Sequence, residues 1–201
     1  MKRVAMGSLL VLAASAVMSS AVAAEEPGPW QLRVGVHNVR PKSDNGTVGG
    51  AKATITSSTR PTFNVDYYFA SNWAVDLLAA APFSHAIKLN GGKAGSTKQL
   101  PPTLSVQYHL APTGPVDVYA GAGANYTRFF NEHSSLGNLK LDSSWGPALQ
   151  LGADYHLGSG WGVGADVRWM RIRSDAHLNG AAIGTAAIDP IAFGATVSKR
   201  F

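Results

Sequence analysis

Ionisable side chains recur at alternate positions of short apolar segments, which places them on one face of an extended chain. The charged residues that carry this pattern most clearly are Arg33, Asp66, Asp76 and Arg168. Because buried charges require partners of opposite sign, these residues are predicted to form ion pairs in an enclosed space. Such pairs would act as a structural polar plug or, alternatively, as a gate or selectivity filter.

The spacing of these residues predicts particular partners. In a tight hairpin, Asp66 and Asp76 fall opposite each other, and two like charges so placed repel unless a cation joins them. Arg33, on the preceding segment, is the nearest candidate cation. In the next hairpin, His109 is predicted to fall opposite Asp117.

Two clusters contain the residue types of a hydrolytic enzyme. Ser174, Asp175 and His177 lie close together, as do Ser84 and His85, but a catalytic triad is defined by geometry and not by spacing. The chain has no cysteine, which excludes a thiolate nucleophile and a thiolate metal site. Its six histidines lack metal-ligand spacing. We therefore expect no enzyme activity, cofactor or metal, with an enzyme built on these clusters as an alternative.

The amino terminus predicts export. Lys2 and Arg3 precede an apolar stretch, and residues 21–23 (AVA) offer a small-residue cleavage site. Residues 1–23 are therefore predicted to be a signal peptide and residues 24–201 the exported domain, with a retained membrane anchor as the alternative. Cleavage lowers the net charge from +5 to about +3, which does not indicate a nucleic-acid partner.

Eight segments after residue 23 alternate apolar and polar residues, as strands with two different faces do. They are residues 30–37, 62–69, 73–84, 103–110, 118–127, 145–156, 161–169 and 191–200. The apolar faces contain no charge, and the polar faces contain almost no Lys and no Glu. Charged residues make up only 14% of the chain, against about 25% in soluble domains. A soluble β-sandwich is the alternative, but it would carry Lys and Glu on its polar face.

Aromatic residues and connection lengths identify the kind of sheet. Aromatic residues gather near both sets of strand ends, as at two membrane interfaces. Short connections alternate with long polar ones at residues 40–59, 85–97, 131–142 and 174–187. Short turns at one rim and long loops at the other are typical of outer-membrane barrels. The sequence predicts an all-β, eight-stranded antiparallel transmembrane β-barrel with short periplasmic turns and long extracellular loops.

Several segments resemble one family in content and order. They are residues 34–41 (VGVHNVRP), 75–83 (VDLLAAAPF), 100–104 (LPPTL), 119–130 (YAGAGANYTRFF), 142–146 (DSSWG) and 199–201 (KRF). The chain is similar to outer-membrane proteins of the OmpW family, including its AlkL-like members. This resemblance implies a narrow, partly apolar lumen and passive uptake of small hydrophobic molecules. It also implies that the terminal Phe201 is read by the barrel-assembly machinery, although Lys199 stands where the family usually has an aromatic residue.

The interior suggests how solutes would move. Small inward residues, among them Gly152, Gly164 and Gly194, are predicted to leave room in the lumen. Leu78 is a large apolar residue on the inward face, and we expect it to form a constriction or, alternatively, simply to fill space. Three prolines on adjoining strands cannot donate ladder hydrogen bonds and are candidates for a lateral exit or for a simple end to pairing. They are Pro82, Pro101 and Pro102.

The long loops suggest a second function. They carry cations that could contact lipopolysaccharide phosphates or simply be solvated: Arg40, Lys42, Lys52, Lys88, Lys93, Lys98 and Lys140. A structural or receptor barrel that acts through these loops is therefore the alternative to a channel. Arg168 adds a cation to the lumen, where it pairs with Asp166 or a loop acid unless the channel handles more polar solutes.

Overall fold

The computed structural model describes residues 28–201, so the predicted signal peptide, residues 1–23, lies outside the described residues. This part of the chain contains fifteen β-strands. In order they are β1 (Trp30–Arg40), β2 (Thr47–Val48), β3 (Ala51–Ile55), β4 (Ser58–Ala70), β5 (Trp73–Ala80), β6 (Phe83–Leu89), β7 (Gly92–Leu100), β8 (Thr103–His109), β9 (Val116–Ser134), β10 (Leu139–Leu141), β11 (Ser144–Gly158), β12 (Trp161–Met170), β13 (Arg173–Leu178), β14 (Ala181–Ala187) and β15 (Ile191–Arg200). No helix in residues 28–201 is long and apolar enough to cross a bilayer.

Eight of the strands close into an antiparallel barrel, as the sequence predicts. Their order around the wall is β1, β4, β5, β8, β9, β11, β12 and β15, and β15 pairs with β1. Short turns join β4 to β5, β8 to β9 and β11 to β12 at one rim. The described chain begins and ends at this rim, where Trp30 and Phe201 exchange backbone hydrogen bonds of 3.2 and 2.9 Å.

The wall has two chemically different faces, which confirms the predicted alternation. Outward aliphatic side chains are open, with Val34 59% and Leu149 54% exposed, whereas the inward charges are almost completely buried. Aromatic rings pair on the outer surface near both rims. The pairs and their centroid distances are Trp30 with Tyr67 at 4.7 Å, Trp73 with Tyr108 at 4.9 Å, and Tyr126 with Trp145 at 4.8 Å. An uncharged apolar band between two aromatic girdles is the surface that hydrocarbon requires.

The four long connections differ from the polar loops that the sequence predicts, because they contain strands of their own. Strand β7 pairs with the distal part of β9, β6 pairs with β3, and β10, β13 and β14 form a three-stranded sheet. Three buried apolar residues, Val48, Ala53 and Ala176, pack these strands together. The barrel therefore continues above its membrane band as a walled vestibule.

Candidate functional site

The turn-side half of the lumen is filled by buried ion pairs. The Arg33 guanidinium lies 2.6 Å from Asp66 and 2.8 Å from Asp154. It also donates to the Tyr119 hydroxyl at 2.9 Å. These contacts join β1, β4, β9 and β11 across the interior. The prediction that Arg33 joins Asp66 and Asp76 is correct for Asp66 and wrong for Asp76, because the second contact of Arg33 is with the carboxylate across the lumen. The bond to Asp154 was not predicted.

A second arginine organises the next layer of the lumen. Arg168 lies 2.8 Å from Asp76 and 2.9 Å from Asp166, so of the predicted partners Asp166 is correct and a loop acid is not. Asp76 also accepts hydrogen bonds from Asn64 at 2.6 Å and Ser105 at 3.2 Å. Each inward charge thus has a partner, which is the condition for keeping charges away from water.

Histidines complete the charged layers. His37 lies 3.1 Å from Asp166, and His109 lies 2.6 Å from Asp117. The predicted register is wrong by two positions, because His109 pairs with Tyr119 across a longer turn. Asp117 therefore reaches the imidazole diagonally and not from the facing position.

The inward glycines provide room for neighbouring side chains and not for a pore. A Cβ added at Gly152 would meet the Tyr119 ring, and one at Gly194 would meet His37. A Cβ at Gly164 would meet the carboxylate of Asp154 in the same way. The predicted free space is therefore occupied. An eight-stranded barrel is just wide enough for its side chains to fill it, and here polar side chains do so.

Above the charged layers the interior becomes apolar. The buried cluster includes Val39, Phe83, Phe129, Met170, Ile172 and Ile188. Leu78 is buried on the inward face of β5, between Asp76 of the charged layers and Ala80, which packs against the cluster. Its role as a constriction stays a prediction.

An apolar pocket of about 50 Å³ opens above this cluster, inside the vestibule. Its walls come from all four long connections and include Leu89, Leu141 and Ile183. Phe129 and Ile188 belong both to the pocket lining and to the cluster, so the cluster forms the pocket floor. Sequence reasoning missed this site.

Three buried polar residues interrupt the apolar lining: His85, Thr97 and Gln99. His85 Nδ1 lies 2.5 Å from the Thr56 carbonyl oxygen. Burial lowers the pKa of His85, which lies on β6 beyond the barrel strands, and the charge of Arg60 lowers it further, while the Thr56 bond acts in the opposite direction. The lowered pKa favours the neutral imidazole.

The barrel wall is interrupted beside the cluster. Strand β5 pairs with β8 as far as Leu78 and Thr103, and β6 pairs with β7 only from Phe83 and Gln99 onward. Between these pairs, the described residues form no backbone hydrogen bond across the wall. The interval contains the three predicted prolines, Pro82, Pro101 and Pro102, and we call it the wall gap.

Both edges of the wall gap are held by the strands on their far sides. Ala81 donates its backbone N–H to the Pro61 carbonyl at 3.0 Å. The Asn125 amide donates to the carbonyls of Pro101 and Pro102, each at 3.1 Å. The gap is thus a fixed local interruption between two well-bonded edges.

The clusters that suggested catalysis have other contacts. The Ser174 hydroxyl donates to the Asp142 carbonyl at 2.7 Å, and Asp175 accepts from the Thr185 hydroxyl at 2.6 Å. His85 faces the pocket, whereas Ser84, which precedes it, lies on the opposite face of the strand. The Ser174 hydroxyl thus bonds to backbone and the Asp175 carboxylate to Thr185, so the two side chains do not bond to each other.

Comparison with known proteins identifies the barrel. The sequence profile of the OmpW family matches residues 26–201. Outer membrane protein W of Escherichia coli is 34% identical over 208 aligned positions, which cover 96% of this chain and 98% of that protein. A dibenzothiophene metabolism operon protein, PahQ, of Pseudomonas aeruginosa is 31% identical and covers 88% of this chain and 90% of its own length.

A solved structure agrees with the sequence comparison. The crystal structure of OprG, an outer membrane protein of Pseudomonas aeruginosa, matches with a TM-score of 0.77 and 31% identity. The match covers 89% of this chain and 98% of OprG. Together with the closed barrel and its apolar band, these similarities place the protein in the outer membrane. The chain belongs to the OmpW family of outer-membrane β-barrel proteins.

Proposed function

We propose that the protein is a passive channel for small hydrophobic molecules, which enter from the vestibule and leave sideways into the membrane. One observation carries this proposal: the apolar cluster that floors the pocket lies above the buried ion pairs, which we call the polar plug, and beside the wall gap. The route involves no covalent step, and we propose that the chain is not an enzyme.

The polar plug argues against an axial route. An apolar solute that moved down the barrel axis would have to displace the ion pairs of Arg33 and Arg168, and both arginines are buried. Removing a partner from a buried charge costs several kcal/mol, on the order of 3–5. The apolar cluster presents no such barrier, since its side chains only exchange one apolar contact for another.

The wall gap offers the outlet. Phe83 and Thr103 border it and also belong to the interior, where the Thr103 hydroxyl lies 3.7 Å from Met170 Sδ. Separating the gap edges breaks no ladder hydrogen bond, because Pro82, Pro101 and Pro102 have no N–H to donate. The name of the relative PahQ, which refers to dibenzothiophene metabolism, supports an apolar solute.

Closing the wall gap with a reversible covalent bridge tests the outlet. The chain has no cysteine, so Ala79→Cys with Pro102→Cys gives a unique pair of exposed thiols on its two edges. A short bis-methanethiosulfonate linker joins them, and a reductant releases them. We expect the bridge to lower the initial uptake of radiolabelled naphthalene by cells severalfold, and reduction to restore it.

The control pair is Ala165→Cys with Ala195→Cys, which are direct register partners on β12 and β15. Both positions face outward, as the gap pair does, but they lie in continuous sheet. Bridging them should leave uptake unchanged. Full uptake through a completely bridged gap would show that solutes leave by another route.

The exposed loop cations support a second role, as contacts for lipopolysaccharide. All seven are exposed, namely Arg40, Lys42, Lys52, Lys88, Lys93, Lys98 and Lys140, although Lys42 also lies 3.1 Å from Asp189. In the alternative function, the barrel is a structural or receptor protein that acts through these contacts. Purified lipopolysaccharide complexes should then dissociate with salt, and liposome swelling should show no selective flux.

We also propose that the barrel-assembly machinery recognises the last residue. The Phe201 side chain is exposed at the turn-side rim, where another protein can reach it. Phe201→Ser should slow the appearance of the heat-modifiable, folded form in cells. The substitution Phe193→Ser, at a similarly exposed outward position of β15, controls for loss of an aromatic side chain.

A further inference from the structure

The apolar pocket contains hydrogen-bonding groups that no other part of the protein uses. In the described residues, His85 Nε2 and both amide atoms of Gln99 have no hydrogen-bond partner. Both side chains are at least 98% buried, at 2% and 1% exposure. Unpaired buried polar atoms are costly and rare in folded proteins, so these groups point to a molecule that pairs with them.

The tautomer of His85 shows which hydrogen-bonding group the ligand must present to it. A carbonyl oxygen can only accept, so the contact with Thr56 requires the proton on Nδ1. In the neutral ring, Nε2 then carries a lone pair and is an acceptor. A ligand that satisfies it must offer an O–H or N–H donor.

Gln99 supplies the second hydrogen-bonding contact for the same ligand group. Its amide has two N–H donors and one acceptor. Strand register places His85 opposite Thr97. Gln99 follows two positions along the same face, at the diagonal spacing of roughly 7–8 Å between such neighbours. One small polar group fits between them. The Gln99 amide is covered by its neighbours when the pocket is empty. Its terminal torsion, χ3, is broad, so rotation about it would turn the amide toward a ligand in the pocket.

We propose that this pocket binds hydrophobic molecules through a hydroxyl group, which donates to His85 Nε2 and accepts from the Gln99 amide. The inference rests on the proposed function and names the solutes that the pocket holds most tightly among hydrophobic molecules: alcohols and phenols. An alkane leaves both groups unpaired, and an ether has no donor for Nε2. A carboxylate has no donor either, and the pocket lining contains no cation to neutralise it.

Two molecules of the same ring size distinguish a hydroxyl from an ether. Protein in lipid nanodiscs is titrated with 4-fluorophenol and with 4-fluoroanisole, and binding is followed by fluorine NMR, with empty nanodiscs as the partition control. We expect the phenol to bind roughly tenfold tighter, because the ether leaves a buried acceptor unpaired. In His85→Leu and Gln99→Leu this preference should disappear. His133→Leu makes the same change at an exposed histidine and should retain it.

The outcomes separate the two proposals. If the ether binds as tightly as the phenol, the hydroxyl site is refuted while the apolar pocket survives. If neither molecule binds, the proposed function fails as well. Heat-modifiable mobility checks that both leucine variants are folded. If the folded variants still prefer the phenol, the assignment of these two residues is rejected.

Discussion

Asp66 and Asp76 are register partners in the β4–β5 hairpin, yet their carboxylates pair with different arginines. Like charges that face each other destabilise a sheet, and here each is matched by a cation from another strand. Arg33 comes from the adjacent β1, and Arg168 comes from β12. This one hairpin therefore joins the two ion-pair systems into a single plug.

Removing the Arg33 charge tests the plug. Arg33→Met leaves Asp66 and Asp154 without their cation in a buried site, and we expect a loss of stability of about 3–5 kcal/mol. Urea unfolding in lipid vesicles and heat-modifiable mobility measure it. The control Arg173→Met removes a half-exposed arginine 3.7 Å from Asp189, and its effect should be about 0–1 kcal/mol. Equal stability of the Arg33 variant and the wild type would contradict the pairing.

Truncation of Leu78 tests its proposed role as a constriction. Leu78→Ala should raise both single-channel conductance and naphthalene uptake, because it removes bulk between the plug and the apolar cluster. It should also destabilise the barrel by roughly 2–5 kcal/mol, as the loss of a buried leucine does. Leu77, at the neighbouring outward position, is 45% exposed, and Leu77→Ala should change neither conductance nor uptake. Unaltered conductance and uptake in the Leu78 variant would leave it a space-filling residue.

Gly152 makes a prediction about packing inside the plug. A methyl group at this position would meet the Tyr119 ring, so Gly152→Ala should cost about 1–3 kcal/mol through overpacking. Thermal unfolding of the refolded protein measures the loss. At Gly92 an added Cβ lies 3.6 Å from the nearest atom, the Leu89 carbonyl, and Gly92→Ala should be tolerated. Equal melting temperatures of the two variants would mean that the side chains of the plug rearrange to accommodate the added methyl group.

The hydroxyl preference should depend on pH through His85. Burial lowers the pKa of His85 below its ordinary value of 6.5. The preference for phenol should therefore hold from about pH 8 down to about 6.5 and fall at lower pH, as the imidazole becomes protonated. A protonated Nε2 donates and accepts no longer, so phenol and ether become equivalent. Arg60 is the charged group that acts on this imidazole, and it favours the neutral form.

The free energy of unfolding should also fall as the pH is lowered. Below the ordinary pKa the unfolded chain binds more protons at His85 than the folded chain does, so acid reduces the free energy of unfolding. In His85→Leu this contribution should be absent. A wild type and a variant with parallel stability profiles between about pH 7 and 5 would show that the imidazole is not shielded.

The barrel strands are readable from sequence because their signal is local. Alternate residues such as Val34, Val65 and Leu149 report the face on which they lie without reference to any other strand. Hairpin partners such as Asp66 and Asp76 follow from the turn between them. The contact between Arg168 and Asp76 does not, since it spans 92 residues and depends on which strands face each other across the lumen.

The vestibule was not predicted for a related reason. Its pocket is assembled from four separate connections, and each contributes only a few apolar side chains among polar ones, such as Val48, Leu89, Leu141 and Ile183. Too few occur in any one connection to produce a periodic pattern. Their presence in segments that otherwise resemble solvated loops was the available signal.

The hydrogen bonds between Trp30 and Phe201 set a condition on biogenesis. The seam of the barrel joins β1 to β15, the first and last described strands, so it stays open until β15 is available. Until then, every intermediate exposes two unpaired edges that invite aggregation. Closure of the barrel is therefore the pairing of β15 with β1, and it removes both edges at once.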